Sequence, residues 1–187
     1  MTFQVHTAES APEAAAPTLE AIQARYGFIP NLAGVFAESP GAFQGLLGLI
    51  QAYDDEALEL SPVERQVVQL AASAENRCDY CAAAHGMLTT TLGLDRADVR
   101  KLQRQEPLAD ERLEALRTFT TEVVRQRGGV NAAAVERFLA AGFDNGQVLE
   151  VLLGVALKTL TNYANHVAQP EVNEQFRDFL PDWEDAA

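Results

Sequence analysis

The chain has 187 residues, enough for one well-buried core without requiring a second domain. Its 27 acids outnumber 14 bases, for a formal charge of −13, and no cluster of Lys or Arg interrupts the excess, so a nucleic-acid backbone or an anionic lipid surface would be repelled. Although 48% of the residues are apolar, no stretch is long and charge-free enough for a transmembrane helix, and the N-terminus MTFQVHTAESAPEAAAP lacks the basic start and apolar core of a leader. The expectation is a cytoplasmic protein that engages neither nucleic acid nor membrane.

Apolar residues recur at helical spacing and strand signals are nearly absent. This predicts an all-α fold in a single domain over 1–187, with residues 1–18, rich in Ala, Pro and Glu, flexible or loosely packed. A short helix is expected from Leu19 to Tyr26 and, after the GFIPN turn, another from Leu32 to Ala37. Pro40 opens a longer one, PGAFQGLLGLIQAYDDEAL. Ser61 as N-cap, Pro62 at the first helical position and Glu64 as capping-box partner mark the sharpest start, and that helix should run to about Ala74. The polar ENR then bends or breaks the chain before a helix from Cys78 to Leu92, stopped by Gly93. Asp95, Asp110, Asn131 and Asp144 each cap a further helix, the last running to about Val167 before Pro170 and a mixed tail that holds Trp183. Shifting the chain by 81 positions sets Gln147 and Val148 on Gln66 and Val67, Ala164 on Ala83 and His166 on His85. The echo suggests one helix pair occurring twice, with Thr159 and Asn162 in place of the cysteines.

Both cysteines and one of the three histidines lie in ENRCDYCAAAHGM. On a helix Cys78, Cys81 and His85 project from roughly one face, with His85 one turn beyond Cys81. Two thiols on a first helical turn can close a disulfide without moving the fold, and a helix N-terminus favours the thiolate. Acidifying a thiol raises its thiolate fraction but lowers its nucleophilicity, so the net gain is only about a few-fold, and a positioned proton carrier must supply the rest. His85 is the imidazole within helix reach. Without a secretion signal, a disulfide between the two cysteines is expected to cycle. Two plainer readings stand beside this one. The cysteines can be core of an Ala-rich helix with His85 a satisfied polar contact, or CxxC and His85 can be three zinc ligands awaiting a fourth, with His6 and His166 as the other histidines. No bound metal or cofactor is expected.

Taken whole, LSPVERQVVQLAASAENRCDYCAAAH resembles the signature of the carboxymuconolactone decarboxylase and alkylhydroperoxidase D-like superfamily, in particular its peroxidase-related branch. FIPNLAGVFAESPGAFQGL is similar to the segment before the motif in that branch, and LTNYANHVAQPEVNEQF to its C-terminal part. The likeness covers most of residues 20–180. It implies an alkylhydroperoxidase D-like helical bundle, oligomeric, whose cysteine pair reduces hydroperoxides while an outside dithiol or protein electron donor restores the thiols. It further implies that Cys81 attacks, Cys78 resolves and His85 belongs to a proton relay. The chain departs from the pattern twice: Gln66 stands where the family has a relay glutamate, and Tyr80 where a histidine sometimes lies between the cysteines. An amide can orient an imidazole but cannot accept a proton near neutral pH. Glu75 is a candidate substitute if the ENR bend turns it inward and is otherwise an exposed helix-end acid, whereas Glu64 should face away. Tyr80 can bond a peroxide or thiolate, or simply pack, and Asn162 and His166 either support the site or make helix contacts.

The expected function is therefore a thiol-dependent peroxidase or disulfide oxidoreductase acting on a hydroperoxide. Its rivals are a decarboxylase or isomerase of a small lactone-like acid on the same fold, which leaves the cysteines without a role, and a non-enzymatic redox-sensing module. The helices around GAFQGLLGLIQAY and VLEVLLGVALKTL carry more apolar surface than one small domain needs to cover, which predicts a homo-oligomer.

Overall fold

Ser61, Asp95, Asp110, Asn131 and Asp144, the caps legible in the sequence, each accept a backbone N–H from the first turn that follows them, as Ser39 does before Pro40, and helices begin there. In the computed structural model, which describes residues 3–183, they and their neighbours delimit nine α-helices, with no strand among the described residues. These are α1 (Ala16–Tyr26), α2 (Asn31–Phe36), α3 (Pro40–Tyr53), α4 (Pro62–Glu75), α5 (Asp79–Thr91), α6 (Arg96–Arg104), α7 (Glu111–Arg125), α8 (Ala132–Ala140) and α9 (Asn145–Ala168). A 3₁₀ helix, Glu174–Phe179, follows. No single helix among the described residues is long and apolar enough to cross a membrane.

The bundle is organised around α4. Its residues from Val67 to Ala74 are all buried, which a helix tolerates only when neighbours pack on every side. Ala71, Ala72, Ser73 and Ala74 keep it thin, and α5, α6, α7 and α9 close around it. One contiguous core links Leu19 of α1, Tyr53 of α3, Leu70 of α4, Leu102 of α6, Phe138 of α8 and Val151 of α9.

Three features differ from the sequence-based expectation. Helix α3 ends at Tyr53 instead of continuing through Leu58, because Arg65 Nη1 donates to the carbonyls of Tyr53 (2.9 Å) and Asp55 (3.1 Å) while Asp55 Oδ1 takes the Ala57 N–H (2.8 Å). Those local bonds replace the next helical turn. The N-terminal segment is tied down rather than loose: His6 is buried, its N–H donates to Gly34 O (3.2 Å), and its ring bonds Glu38 Oε2 (2.7 Å) and Ser10 O (2.9 Å). Gly34 permits this approach, since a Cβ there would lie 2.6 Å from His6 O. Finally, α9 runs unbroken through the positions that the echo aligns with the ENR turn, so the helix pair is not repeated.

Helix α9 reaches the centre of the bundle at Gly154, where a methyl group would lie 2.5 Å from Tyr53 Oη and 2.8 Å from Val68 Cγ1. Tyr53 is fully buried and its hydroxyl donates to Arg65 O (3.3 Å), so it cannot swing aside without losing that bond. Alanine gains about 1 kcal/mol of helix propensity over glycine, but overpacking of this kind costs about 1–3 kcal/mol and the displaced hydroxyl adds to it. Gly154→Ala is expected to lower stability by about 2 kcal/mol in urea titration; a midpoint at or above the wild type would show that α9 has room to shift.

Candidate active site

The polar ENR does break the chain, and the break is built in detail. Asn76 ends α4, Arg77 takes a left-handed conformation (φ 53°), and the Cys78 N–H donates back to Ser73 O at 3.0 Å. Cys78 is left extended as the N-cap of α5, with Cys81 and His85 on the helix behind it. A non-glycine residue in this conformation costs about 1 kcal/mol or more. Contacts from α9 hold the turn: Asn76 Nδ2 donates to Asn162 Oδ1 (2.9 Å), Asn162 Nδ2 to Ser73 Oγ (3.3 Å), and His166 Nε2 to Asn76 O (2.9 Å). Asn162 and His166 thus secure the backbone that presents Cys78.

Neither cysteine is in a disulfide in this structure, and each is only 2% exposed. His85 donates from Nδ1 to Gln66 Oε1 at 2.9 Å, so Gln66 occupies the position from which it orients the imidazole and fixes its tautomer. The other ring nitrogen, Nε2, accepts from Lys158 Nζ at 2.6 Å. Lys158 comes from α9 and is 3% exposed, and no carboxylate lies within ion-pair distance of it among the described residues. Seven residues further along the same helix, Asn165 Nδ2 donates to Cys81 Sγ at 3.2 Å.

Electrostatics separates the two thiols. Burial pushes Cys81 up, but the Cys78 hydrogen bond, the Lys158 charge and polar side chains of α9 outweigh it and hold Cys81 below the usual thiol range. Cys78 moves the opposite way: its hydrogen bond to Cys81, burial and the Cys81 charge all raise it. These surroundings favour ionisation at Cys81 and disfavour it at Cys78. Burial and then the Lys158 charge hold His85 well below its ordinary range, so the ring is neutral near pH 7.

The remaining residues singled out in the sequence lie elsewhere. Glu75 turns to α7, where Arg125 donates to both its oxygens (3.0 and 2.8 Å) and Gln105 Nε2 adds a third bond (3.0 Å), so it is not the relay acid. Glu64 closes its capping box and pairs with Arg112 at 2.7 Å. Tyr80 is buried, but its hydroxyl donates to Asn173 Oδ1 (2.6 Å) and accepts from Leu32 N (3.3 Å), so it braces the cover of the site rather than a sulfur. Neither other histidine is a fourth ligand for the zinc arrangement: His6 is bonded to Glu38 and His166 to Asn76 O, and His85 Nε2 accepts from Lys158 Nζ. Lys158 and Asn165 were missed in the sequence. Lys158 had a signal: it is one of only two lysines and the one Lys or Arg in the long apolar α9.

An aromatic cover closes the dithiol from outside. Phe176 of the 3₁₀ helix packs edge-on against Phe28 (5.7 Å between centroids) and Tyr80 (5.8 Å), in one cluster with both cysteines. Reagents must displace this cover to reach sulfur. Phe176→Ala removes a buried ring and should lower the local opening free energy by about 2 kcal/mol or more. Iodoacetamide should then alkylate the cysteines at least about ten-fold faster by mass spectrometry, whereas an unchanged rate would place the entry route elsewhere.

The fold and motif have recognisable counterparts. The carboxymuconolactone decarboxylase family pattern matches residues 42–110. The structure superposes with a TM-score of 0.83 on an alkylhydroperoxidase AhpD core, an uncharacterised peroxidase-related protein from Ralstonia eutropha JMP134, at 22% identity and with 92% of each chain covered. A second uncharacterised peroxidase-related protein, from Silicibacter sp. TM1040, gives 0.78 at 21% identity, covering 88% of this chain and 87% of that one. The debrominase Bmp8, solved with 2,3,4-tribromopyrrole, gives 0.78 at 16% identity over 96% and 95%. No curated protein sequence matches the chain. The family pattern thus spans α4, the turn and the cysteine helix, and the fold around them is that of the AhpD core.

Proposed function

We propose that the protein is a thiol-dependent peroxidase that reduces a hydroperoxide through the Cys78–Cys81 dithiol. The observation that carries this reading is the geometry of the pair: Cys78 is the N-cap and Cys81 lies in the first turn of α5, Asn165 Nδ2 donates to Cys81 Sγ, and His85 is held between Gln66 and Lys158, surroundings that favour the thiolate at Cys81 over Cys78. The Cys81 thiolate attacks the terminal peroxide oxygen, the O–O bond breaks, and the leaving alkoxide takes a proton to become the alcohol. Cys78 sulfur then displaces the hydroxyl of the Cys81 sulfenic acid, its proton leaves with that hydroxyl as water, and the disulfide forms. An outside dithiol returns two electrons and two protons. Gln66 orients the imidazole without being a base, and the aromatic cover favours an organic hydroperoxide over a small polar one.

Single-turnover oxidation of the reduced protein with cumene hydroperoxide tests this. The wild type should lose two hydrogens by mass as the disulfide forms; Cys78→Ser should stop at a Cys81 sulfenic acid trapped by dimedone, and Cys81→Ser should not react. Retention of the wild-type rate in Cys81→Ser would end the proposal. A halogenated aromatic is a second candidate substrate, supported by the aromatic cover and by the debrominase among the structural neighbours. The same two electrons would then release halide, which ion chromatography would detect. Decarboxylation of a lactone-like acid leaves the dithiol idle and would survive alkylation of both cysteines.

We further propose that the chain works as a homo-oligomer through α9. Leu149 (66% exposed), Leu152, Leu160, Tyr163 (59%) and Val167 (70%) form an apolar stripe along one side of this helix, while its other side holds the active-site turn. Light scattering at micromolar concentration should give a mass at least twice the 20.3 kDa of one chain, and Tyr163→Glu should reduce it. A 20.3 kDa particle from the wild type would refute the assembly.

A further inference from the structure

Lys158 and Asn165 sit two turns apart on α9, both buried, and reach across to α5, Lys158 to His85 Nε2 and Asn165 to Cys81 Sγ. Three observations set them apart from ordinary core polar residues. The Lys158 ammonium has a neutral imidazole nitrogen as its hydrogen-bond partner and no carboxylate within ion-pair distance among the described residues. A cation buried without an anion is expensive, so an anion belongs beside it. Asn165 has its Nδ2 engaged by Cys81 Sγ (3.2 Å) and Thr161 O (3.0 Å), which fixes the amide's orientation since a carbonyl only accepts. Its Oδ1 is buried and has no partner among the described residues, an acceptor waiting beside the sulfur. The choice of lysine is also informative. The chain carries 14 Lys and Arg residues, of which only two are lysines, and a lysine can surrender a proton whereas an arginine cannot.

We propose that α9 forms the oxygen-binding half of the active site: Lys158 is the counter-ion of the Cys81 thiolate and the proton donor to the leaving oxygen, and Asn165 Oδ1 receives the hydroperoxide O–H. This rests on the hydroperoxide reading above. The step balances. Asn165 Oδ1 accepts the O–H, which sets the terminal oxygen beside Cys81 Sγ; the thiolate pair forms the S–O bond as the O–O bond breaks. The alkoxide takes one proton from the Lys158 ammonium and leaves as the alcohol. Cys78 then closes the disulfide and its proton departs in water, leaving Lys158 as a neutral amine, so the site never holds a buried cation without its anion. The amine keeps an N–H for His85 Nε2, and His85 acts as a positioning residue, held in turn by Gln66. On reduction, the proton that Cys81 does not keep returns the charge to Lys158.

The ionisable groups around the dithiol are few. Helix α5 brings Cys78, Tyr80 and His85, and α9 brings Lys158. Glu75 at the end of α4 is held by Arg125, Asp79 accepts from Trp183 Nε1, His166 bonds Asn76 O, and Glu174, Arg177 and Asp178 on the 3₁₀ helix are exposed. None of these supplies another cation to the sulfur.

The test uses the full-length wild type, Lys158→Met, Lys158→Gln and Asn165→Leu, with two readouts. Alkylation of reduced Cys81 by iodoacetamide, resolved by mass across pH, reports the thiolate and needs no peroxide. Single-turnover oxidation by cumene hydroperoxide at a pH where Cys81 is fully ionised in every variant reports the oxygen site. Both lysine variants should move the alkylation midpoint up by about two pH units or more, about a hundred-fold loss of rate on the acid side. At full ionisation they and Asn165→Leu should still oxidise at least about ten-fold more slowly while alkylating near the wild-type rate, since only oxidation has an alkoxide to protonate and an O–H to hold. A merely structural role would lower both reactions together, and that result overturns the oxygen site. An unmoved midpoint in the lysine variants overturns the counter-ion. Should neither lysine variant fold, a wild-type midpoint at or above the ordinary thiol value of about 8.5 overturns the counter-ion by itself, and Asn165→Leu decides the oxygen site. If the wild type has the low midpoint but no hydroperoxide oxidises it, the peroxidase reading and the oxygen site both fail, while the thiolate–ammonium pair stands.

Discussion

The ammonium of Lys158 is the charge on which the rest of the site depends. Placing an ion in a protein interior costs several kcal/mol even after relaxation, and no carboxylate offsets it among the described residues. What compensates is a neutral imidazole lone pair at 2.6 Å and, in the arrangement proposed above, the Cys81 thiolate, whose own burial would otherwise be unfavourable. Each makes the other tolerable. Burial and then the same charge hold His85 below its ordinary range, and its Nε2 accepts from the ammonium.

This arrangement gives a physical account of the glutamine at position 66. An acid there would face the Nδ1 of His85, favour the imidazolium, and set that second cation against Lys158 across one ring. With an amide, the ring stays neutral and accepts from the ammonium. Gln66 and Lys158 are thus coupled through His85, on α4 and α9, although 92 positions (158 − 66) separate them in the chain. The architecture that permits this is the thin, fully surrounded α4, which lets α5 and α9 approach the same point from different sides.

The turn between α4 and α5 is the second requirement. A left-handed Arg77 is unfavourable alone, and the Asn76, Ser73, Asn162 and His166 bonds fix it. These bonds come from α9, the helix that also carries Lys158 and Asn165. One helix therefore both sets the position of the Cys78 N-cap and supplies the polar surroundings of Cys81, while its outer side carries the exposed apolar stripe from Leu149 to Val167.

Much of this was legible in the sequence, and for identifiable reasons. Caps act within a turn of the chain, so Ser61, Asp95, Asp110, Asn131 and Asp144 announced their helices directly, and the polarity of ENR announced the break before Cys78. The spacing of Cys78, Cys81 and His85 put them on one helix for the same local reason, and the family likeness brought Gln66 to His85. The end of α3 was not legible in the sequence, because a side chain from the next helix, Arg65, takes the carbonyls of Tyr53 and Asp55. The sequence does not say which way a helix-end acid such as Glu75 points; Arg125, 50 residues on, decides it. Local periodicity, capping and motif spacing determined the helices and the dithiol. Only the tertiary structure decided which groups surround that dithiol, because Lys158 and Asn165 reach it from a helix more than seventy residues away (158 − 85 = 73), and contacts across such a distance follow from packing rather than from any pattern in the chain.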